Sequence, residues 1–184
     1  MPLPRKPRPA VPLLVSLAAA APLLAGCSVP VVGLTGVTVS KDGQPMGVVL
    51  VCDDRIDSAV FHPEEPAEPE DPEAETAAEP EYTDRWSAAA PVEDFATWPL
   101  ASPTGGAGWT PEKPPRPLRP GQVYTLYGAT RDNSSSTDPH SFTLADLTKL
   151  TPDQVRYTDP DTGTARTATV ADFRAHACEE RSAD

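Results

Sequence analysis

Leu34-Thr35-Gly36-Val37-Thr38-Val39-Ser40, then Lys41-Asp42-Gly43-Gln44-Pro45, then Met46-Gly47-Val48-Val49-Leu50-Val51-Cys52, decides the fold class. In the first part Thr35, Val37 and Val39 share one face at every second position, the period of a strand and not of a helix. Asp42-Gly43 signals a tight hairpin, because glycine takes left-handed backbone angles without steric cost. The third part places Met46, Val48, Leu50 and Cys52 on one face and Val49 and Val51 on the other. A segment apolar on both faces reads as a central strand.

The same pattern extends outward. Residues 56–61, 82–88, 92–100, 122–129, 141–143, 154–158 and 164–170 carry strand character, with Val155 and Tyr157 turned inward and Phe95 and Trp98 set for packing. Helical signals are confined to one turn at 145–150, stopped before Pro152, and a final helix over 172–178. The expectation is a mainly β chain: a small antiparallel β-sandwich of immunoglobulin-like architecture with a short C-terminal helix and long disordered loops, a small open barrel being the alternative. One domain spans 34–178, followed by a tail at 179–184. Two stretches interrupt it. Residues 62–81 hold nine acids, five prolines and no Lys or Arg, an insertion expected to be disordered and self-repelling. Residues 101–121 form a Pro/Gly-rich loop ending in Pro114-Pro115-Arg116-Pro117-Leu118-Arg119-Pro120, read as a stiff polyproline connector.

The whole chain has 184 residues, a net charge of −12 and 24 prolines, so much of it must lie outside helix interiors and central strands. Its acidity excludes the clustered cationic surface that nucleic acid requires. The N-terminus differs from the rest. Arg5, Lys6 and Arg8 stand without an acid, and 11–24 is an apolar run too short to span a bilayer but suited to an export signal. The run closes on Leu24-Ala25-Gly26-Cys27. Small residues before a cysteine resemble the bacterial lipobox, so residues 1–26 are read as a signal peptide cut between Gly26 and Cys27, with Cys27 diacylated. At ~0.8 kcal/mol per buried CH₂, two acyl chains give durable membrane attachment. Residues 27–33 then form a short lipidated tether to a domain on the outer face of the cell membrane.

Of the three cysteines, Cys52 and Cys178 remain, and outside the cell such a pair is expected as a disulfide. Other chemistry finds little support. His62, His140 and His176 have no metal-ligand spacing, and His62 and His140 stand beside prolines in expected turns. Asp159-Pro160-Asp161-Thr162-Gly163 begins like a calcium loop but lacks its later ligands and reads as a hairpin turn. No elbow motif surrounds Ser134, Ser135 or Ser136. Tyr124, Tyr127 and Trp86 are expected in the core before a ligand patch.

Gly121-Gln122-Val123-Tyr124-Thr125-Leu126-Tyr127-Gly128-Ala129-Thr130, Ser141-Phe142-Thr143-Leu144-Ala145-Asp146-Leu147, Gln154-Val155-Arg156-Tyr157 and Ala171-Asp172-Phe173-Arg174-Ala175-His176-Ala177-Cys178, together with Gly47 to Asp53 and the lipobox, resemble uncharacterised membrane lipoproteins of actinomycetes, high-GC Gram-positive bacteria. The resemblance carries no catalytic residue, no cofactor and no metal ligand to this chain. The expected function is a non-enzymatic binding or structural module of the cell envelope, held by its acylated cysteine, with an envelope protein or ligand as partner. The alternatives are a calcium-binding lipoprotein using the acidic segment and an extracytoplasmic hydrolase built from loop acids and a histidine.

Overall fold

The computed structural model describes residues 29–64 and 83–181. The expected signal peptide, Cys27, and most of the acidic insertion lie outside them. The described residues form eleven strands and two helices: β1 Val31–Val39, β2 Pro45–Val51, β3 Ile56–Pro63, β4 Asp84–Val92, β5 Phe95–Pro99, β6 Trp109–Pro111, β7 Val123–Ala129, β8 Ser136–Asp138, β9 His140–Thr143, α1 Leu144–Leu147, β10 Gln154–Thr158, β11 Ala165–Thr169 and α2 Val170–Arg181. The mainly β expectation holds. The two-sheet sandwich is not confirmed, because all the strands hydrogen-bond into one sheet that is nearly closed as a barrel.

β1 organises this sheet. One edge pairs with β2 from Gly33 to Val39, and the other edge is split, meeting β8 near Val31–Leu34 and β10 at Gly36 and Val37. From β8 the sheet runs through β7, β3 and β4 to β6, while β2 continues to β5. Pro139 separates β8 from β9, as expected of a residue with no N–H to give the ladder. The free edges β5 and β6 meet through side chains: Trp98 and Trp109 stack with ring centroids 4.5 Å apart. Trp98 lies flat on bare backbone at Gly47, where a Cβ would stand 2.5 Å from the indole.

There are two apolar layers. Val37, Val39, Val49, Val51, Phe61, Trp86, Leu126 and Phe142 belong to the barrel interior. Leu34, Val48, Leu50, Val155 and Tyr157 point the other way and are covered by Phe173 and Ala177 of α2. This second layer explains why β2 is apolar on both faces. It also covers β1 on both faces, so that eight of its nine residues are buried. Its buried polar residues are used. Where β8 and β9 leave β7 between their pairings, the Gly128 N–H donates to Thr137 Oγ1 (2.7 Å) and Thr35 Oγ1 (3.3 Å), and the two hydroxyls bond each other. Thr35→Val leaves this network short of one partner and should lower the unfolding free energy by about 1–2 kcal/mol in urea titration. An unchanged midpoint would show that Thr137 alone satisfies the amide.

Smaller corrections have local causes. The loop at 101–121 contains β6, β8 falls between the stretches of strand character at 122–129 and 141–143, His62 and Pro63 of the expected insertion end β3, and the tail at 179–181 continues α2. Residues 31–33, expected ahead of the domain, belong to β1, and the Pro30 carbonyl already accepts the Ser136 N–H at 2.9 Å.

Strand directions give the barrel two distinct poles. Val31 of β1 is level with Ser136, Ala129 and Ser58. We call this the basal pole. β3 runs away from it to Pro63, five residues and about 17 Å further on. Glu64 and Thr83, which flank the acidic segment, therefore sit at the opposite, apical pole.

Candidate functional site

At the basal pole the loop after β2 and the loop after β7 enclose a cleft of about 360 Å³, lined by Asp54, Arg55, Asp57, Thr130, Arg131, Asp132 and Ser134. Its shape comes from local turn chemistry. Asp54 and Asn133 hold left-handed backbone angles (φ 55° and 57°), which short polar side chains tolerate. Thr130 Oγ1 accepts the N–H groups of Ser134 (2.8 Å) and Ser135 (3.0 Å), folding the second loop on itself. Asp57 joins the loops: its Oδ1 accepts the Arg131 N–H at 2.8 Å, and its Oδ2 stands 3.5 Å from Arg131 Nε.

The carboxylates of this cleft are engaged in holding it. Ser134 Oγ donates to Asp132 Oδ1 at 2.8 Å. That bond and those from Thr130 and the Ser134 amide hold the Asp132 carboxyl below its ordinary range. A carboxylate so stabilised is a weak base, so Ser134 gains no activation as a nucleophile from it. Among the described residues no three His, Cys, Asp or Glu side chains converge for a metal ion. What the cleft offers is a polar, zwitterionic rim of Asp and Arg.

The three histidines are dispersed. His62 is in β3, edge-on to Tyr127 with ring centroids 6.4 Å apart, and His176 is on the exposed side of α2, its Nδ1 3.5 Å from Glu179 Oε2. Two of them correct the expectation of turn residues: His62 lies in a paired strand, and His140 opens β9 and is 0 % exposed. Its Nδ1 lies 3.1 Å from Thr158 Oγ1, its ring is parallel to Phe142, and Nε2 has no protein partner. Burial, reinforced by the positive Arg156, pushes its pKa down to about 4, against the opposing pull of Asp146. Asp146 caps α1 through Thr143 and pairs with Arg156 (3.7 Å) and Lys149 (3.6 Å). Burial raises its pKa, but the Thr143 hydrogen bonds and these cations outweigh burial and leave it lowered. With no exposed surface, His140 cannot reach a substrate.

The remaining sequence candidates take structural places. Cys52 and Cys178 form a disulfide, Cα atoms 5.4 Å apart, tying the end of α2 to the end of β2. Asp159 caps its own turn, its Oδ1 accepting from Asp161 N and from Thr162 N and Oγ1, each at 3.1 Å. Trp86 and Tyr124 are core residues, while Tyr127 is half-buried. Gly26 and Cys27 lie outside the described residues. The cleft had no sequence signature, since its two loops are over 70 residues apart (|i−j| is 74 for Arg131 and Asp57) and each reads alone as an ordinary polar turn. No protein-family model, curated protein or solved structure matches this chain.

Proposed function

We propose that this protein is a lipoprotein held on the outer face of the cell membrane by a diacylated Cys27, and that its barrel domain is a non-enzymatic binding or structural module of the envelope. The observation that carries this reading is the pairing of Cys52 with Cys178. It uses two of the chain's three cysteines and fits an oxidising compartment. The third is Cys27, which ends the lipobox-like Leu24-Ala25-Gly26-Cys27 after a basic and then apolar leader.

The tether geometry supports a defined orientation. Pro30, three residues after Cys27, is hydrogen-bonded at the basal pole, so the lipid attachment point is at most about 10 Å from the fold. The basal cleft then faces the membrane and the apical loops face outward. The mature chain carries 12 basic and 27 acidic residues, a net charge of −15, which keeps the barrel upright over anionic lipid.

Cys27→Ala in the producing cell tests this reading. The wild-type protein should partition with membranes and give a mature N-terminal mass carrying a diacylglycerol. The variant should be unprocessed or lost from the membrane fraction. Equal membrane retention of a processed Cys27→Ala protein would overturn the anchor. Hydrolysis of a peptide, ester or glycan substrate that survives repurification would overturn the non-enzymatic reading.

A further inference from the structure

The sheet stops at β11, and no described residue pairs with its outer edge. Its register with β10 runs from Gln154↔Thr169 to Thr158↔Ala165. Beyond either end, Asp159 N–H donates to the Thr164 carbonyl (2.9 Å) and Val170 N–H to the Asp153 carbonyl (2.7 Å). Hydrogen-bonded and non-bonded pairs alternate along an antiparallel ladder. Thr164, Arg166, Ala168 and Val170 therefore face β10, while Ala165, Thr167 and Thr169 turn their amides outward, and all three are exposed. An open edge is a template for another strand, and proteins blunt it with proline, lysine or a bulge. The edge strands β5 and β6 end in Pro99 and Pro111, but Ala165-Arg166-Thr167-Ala168-Thr169 holds none of these devices and its register is unbroken.

An edge of this composition fits its own copy. Outward residues must meet outward residues, which leaves few two-fold registers. An axis at Arg166 sets two guanidinium groups against each other, and one at Ala168 leaves Ala165 unpaired. An axis at Thr167 pairs all three: Thr167 exchanges both hydrogen bonds with its counterpart, and each Thr169 N–H meets an Ala165 carbonyl. Charge complementarity favours the same register. Arg166 and Ala168 stand opposite Tyr157 and Val155, on the face covered by α2. There a hollow of about 280 Å³ is lined by Tyr157, Arg166, Thr167, Ala168, Asp172 and His176. Its Asp172 accepts from the Thr169 hydroxyl at 2.8 Å, and no described cation pairs with it. With the axis at Thr167, the second copy's Arg166 falls opposite Ala168, at the lining of this hollow. That guanidinium keeps its own Asp159 (3.3 Å) and has five N–H donors, enough for a second carboxylate. We propose that the open edge of β11 pairs with that of a second copy, antiparallel about Thr167, with Arg166 of each copy seated in the other's hollow against Asp172. One short edge buries far less than the roughly 1,200 Å² of a stable complex, so the pairing is weak and reversible.

Facing residues of such a pair have Cα atoms about 5.5 Å apart, within reach of a disulfide. Mild oxidation of the full mature protein carrying Thr167→Cys should therefore give about fivefold more covalent dimer than the same protein carrying Thr110→Cys, an exposed threonine of edge strand β6. Adding Arg166→Glu to the Thr167→Cys protein brings two acids together and should cut its dimer about tenfold at an unchanged unfolding midpoint. Adding Asp172→Arg as well reverses both charges and should restore most of the dimer. Equal yields from Thr167→Cys and Thr110→Cys, the result expected where the chain's own residues cover the edge, would overturn the proposal. So would a yield that Arg166→Glu leaves unchanged, or a loss that Asp172→Arg does not repair.

Discussion

Replacing Cys52 and Cys178 by serine lowers the unfolding free energy of the mature domain by about 4–5 kcal/mol, and its melting temperature by about 15 °C. The bridge spans 126 residues, nearly the entire fold, so removing it releases almost the full conformational freedom of the unfolded chain. The effect also has a local component. α2 is largely exposed, and beyond Phe173, Ala177 and Val170 it is held over Leu34, Val48 and Leu50 by the disulfide and by Arg174, which pairs with Asp94 at 3.0 Å and lies over the Phe95 ring. In the serine variant, amides of α2 should exchange with solvent well before those of β1 and β7, because those strands remain buried in the barrel. Urea unfolding with and without reductant checks the magnitude, and hydrogen exchange checks the order. A change under about 1 kcal/mol would mean that the unfolded chain is already compact enough to keep these two ends close.

Acidification from pH 7 to pH 5 costs the fold about 2 kcal/mol through His140 alone, rising to about 3 kcal/mol near pH 4. The sign follows from where the proton binds. The unfolded imidazole titrates near 6.5, whereas the buried ring, beside Arg156 and with Asp146 the nearest counter-charge, is held down to about 4. Above 6.5 both states are neutral and stability is intact. Between 6.5 and about 4 only the unfolded state takes the proton, so the penalty grows as pH falls, and below about 4 it is complete. Carboxylates with lowered pKa, among them Glu64 and Asp146, add their own losses toward the lower end. The diagnostic quantity is therefore the difference between wild type and His140→Gln across pH 7 to 5. That variant should flatten the profile in this window whatever its stability at neutral pH. A wild-type profile already flat there would mean that Nε2 reaches water or a proton acceptor through motions of β9.

Much of the strand inventory was legible because burial writes itself into side-chain choice. The run from Met46 to Val51 is apolar on both faces, and both faces are covered, one by the barrel and one by α2. Val155 and Tyr157 are buried as their alternation demanded. The misses were segments too short or too polar for a period to show. Ser136–Asp138 and Trp109–Pro111 are strands of three residues, made by their neighbours' hydrogen bonds and not by their own preference. His140 misled because Pro139 beside it signals a turn, while the residue opens a strand paired with β7.

The sequence by itself determined the β class, the hairpin at Asp42-Gly43 and the Cys52–Cys178 partnership, since each depends on residue types within a few positions or on a cysteine count. Only the tertiary structure decided that one sheet curls on itself, that β1 divides an edge between β8 and β10, and that loops some 70 residues apart share a basal cleft. The physical reason is that alternation reports whether a side chain is covered, and carries no information about which distant strand covers it.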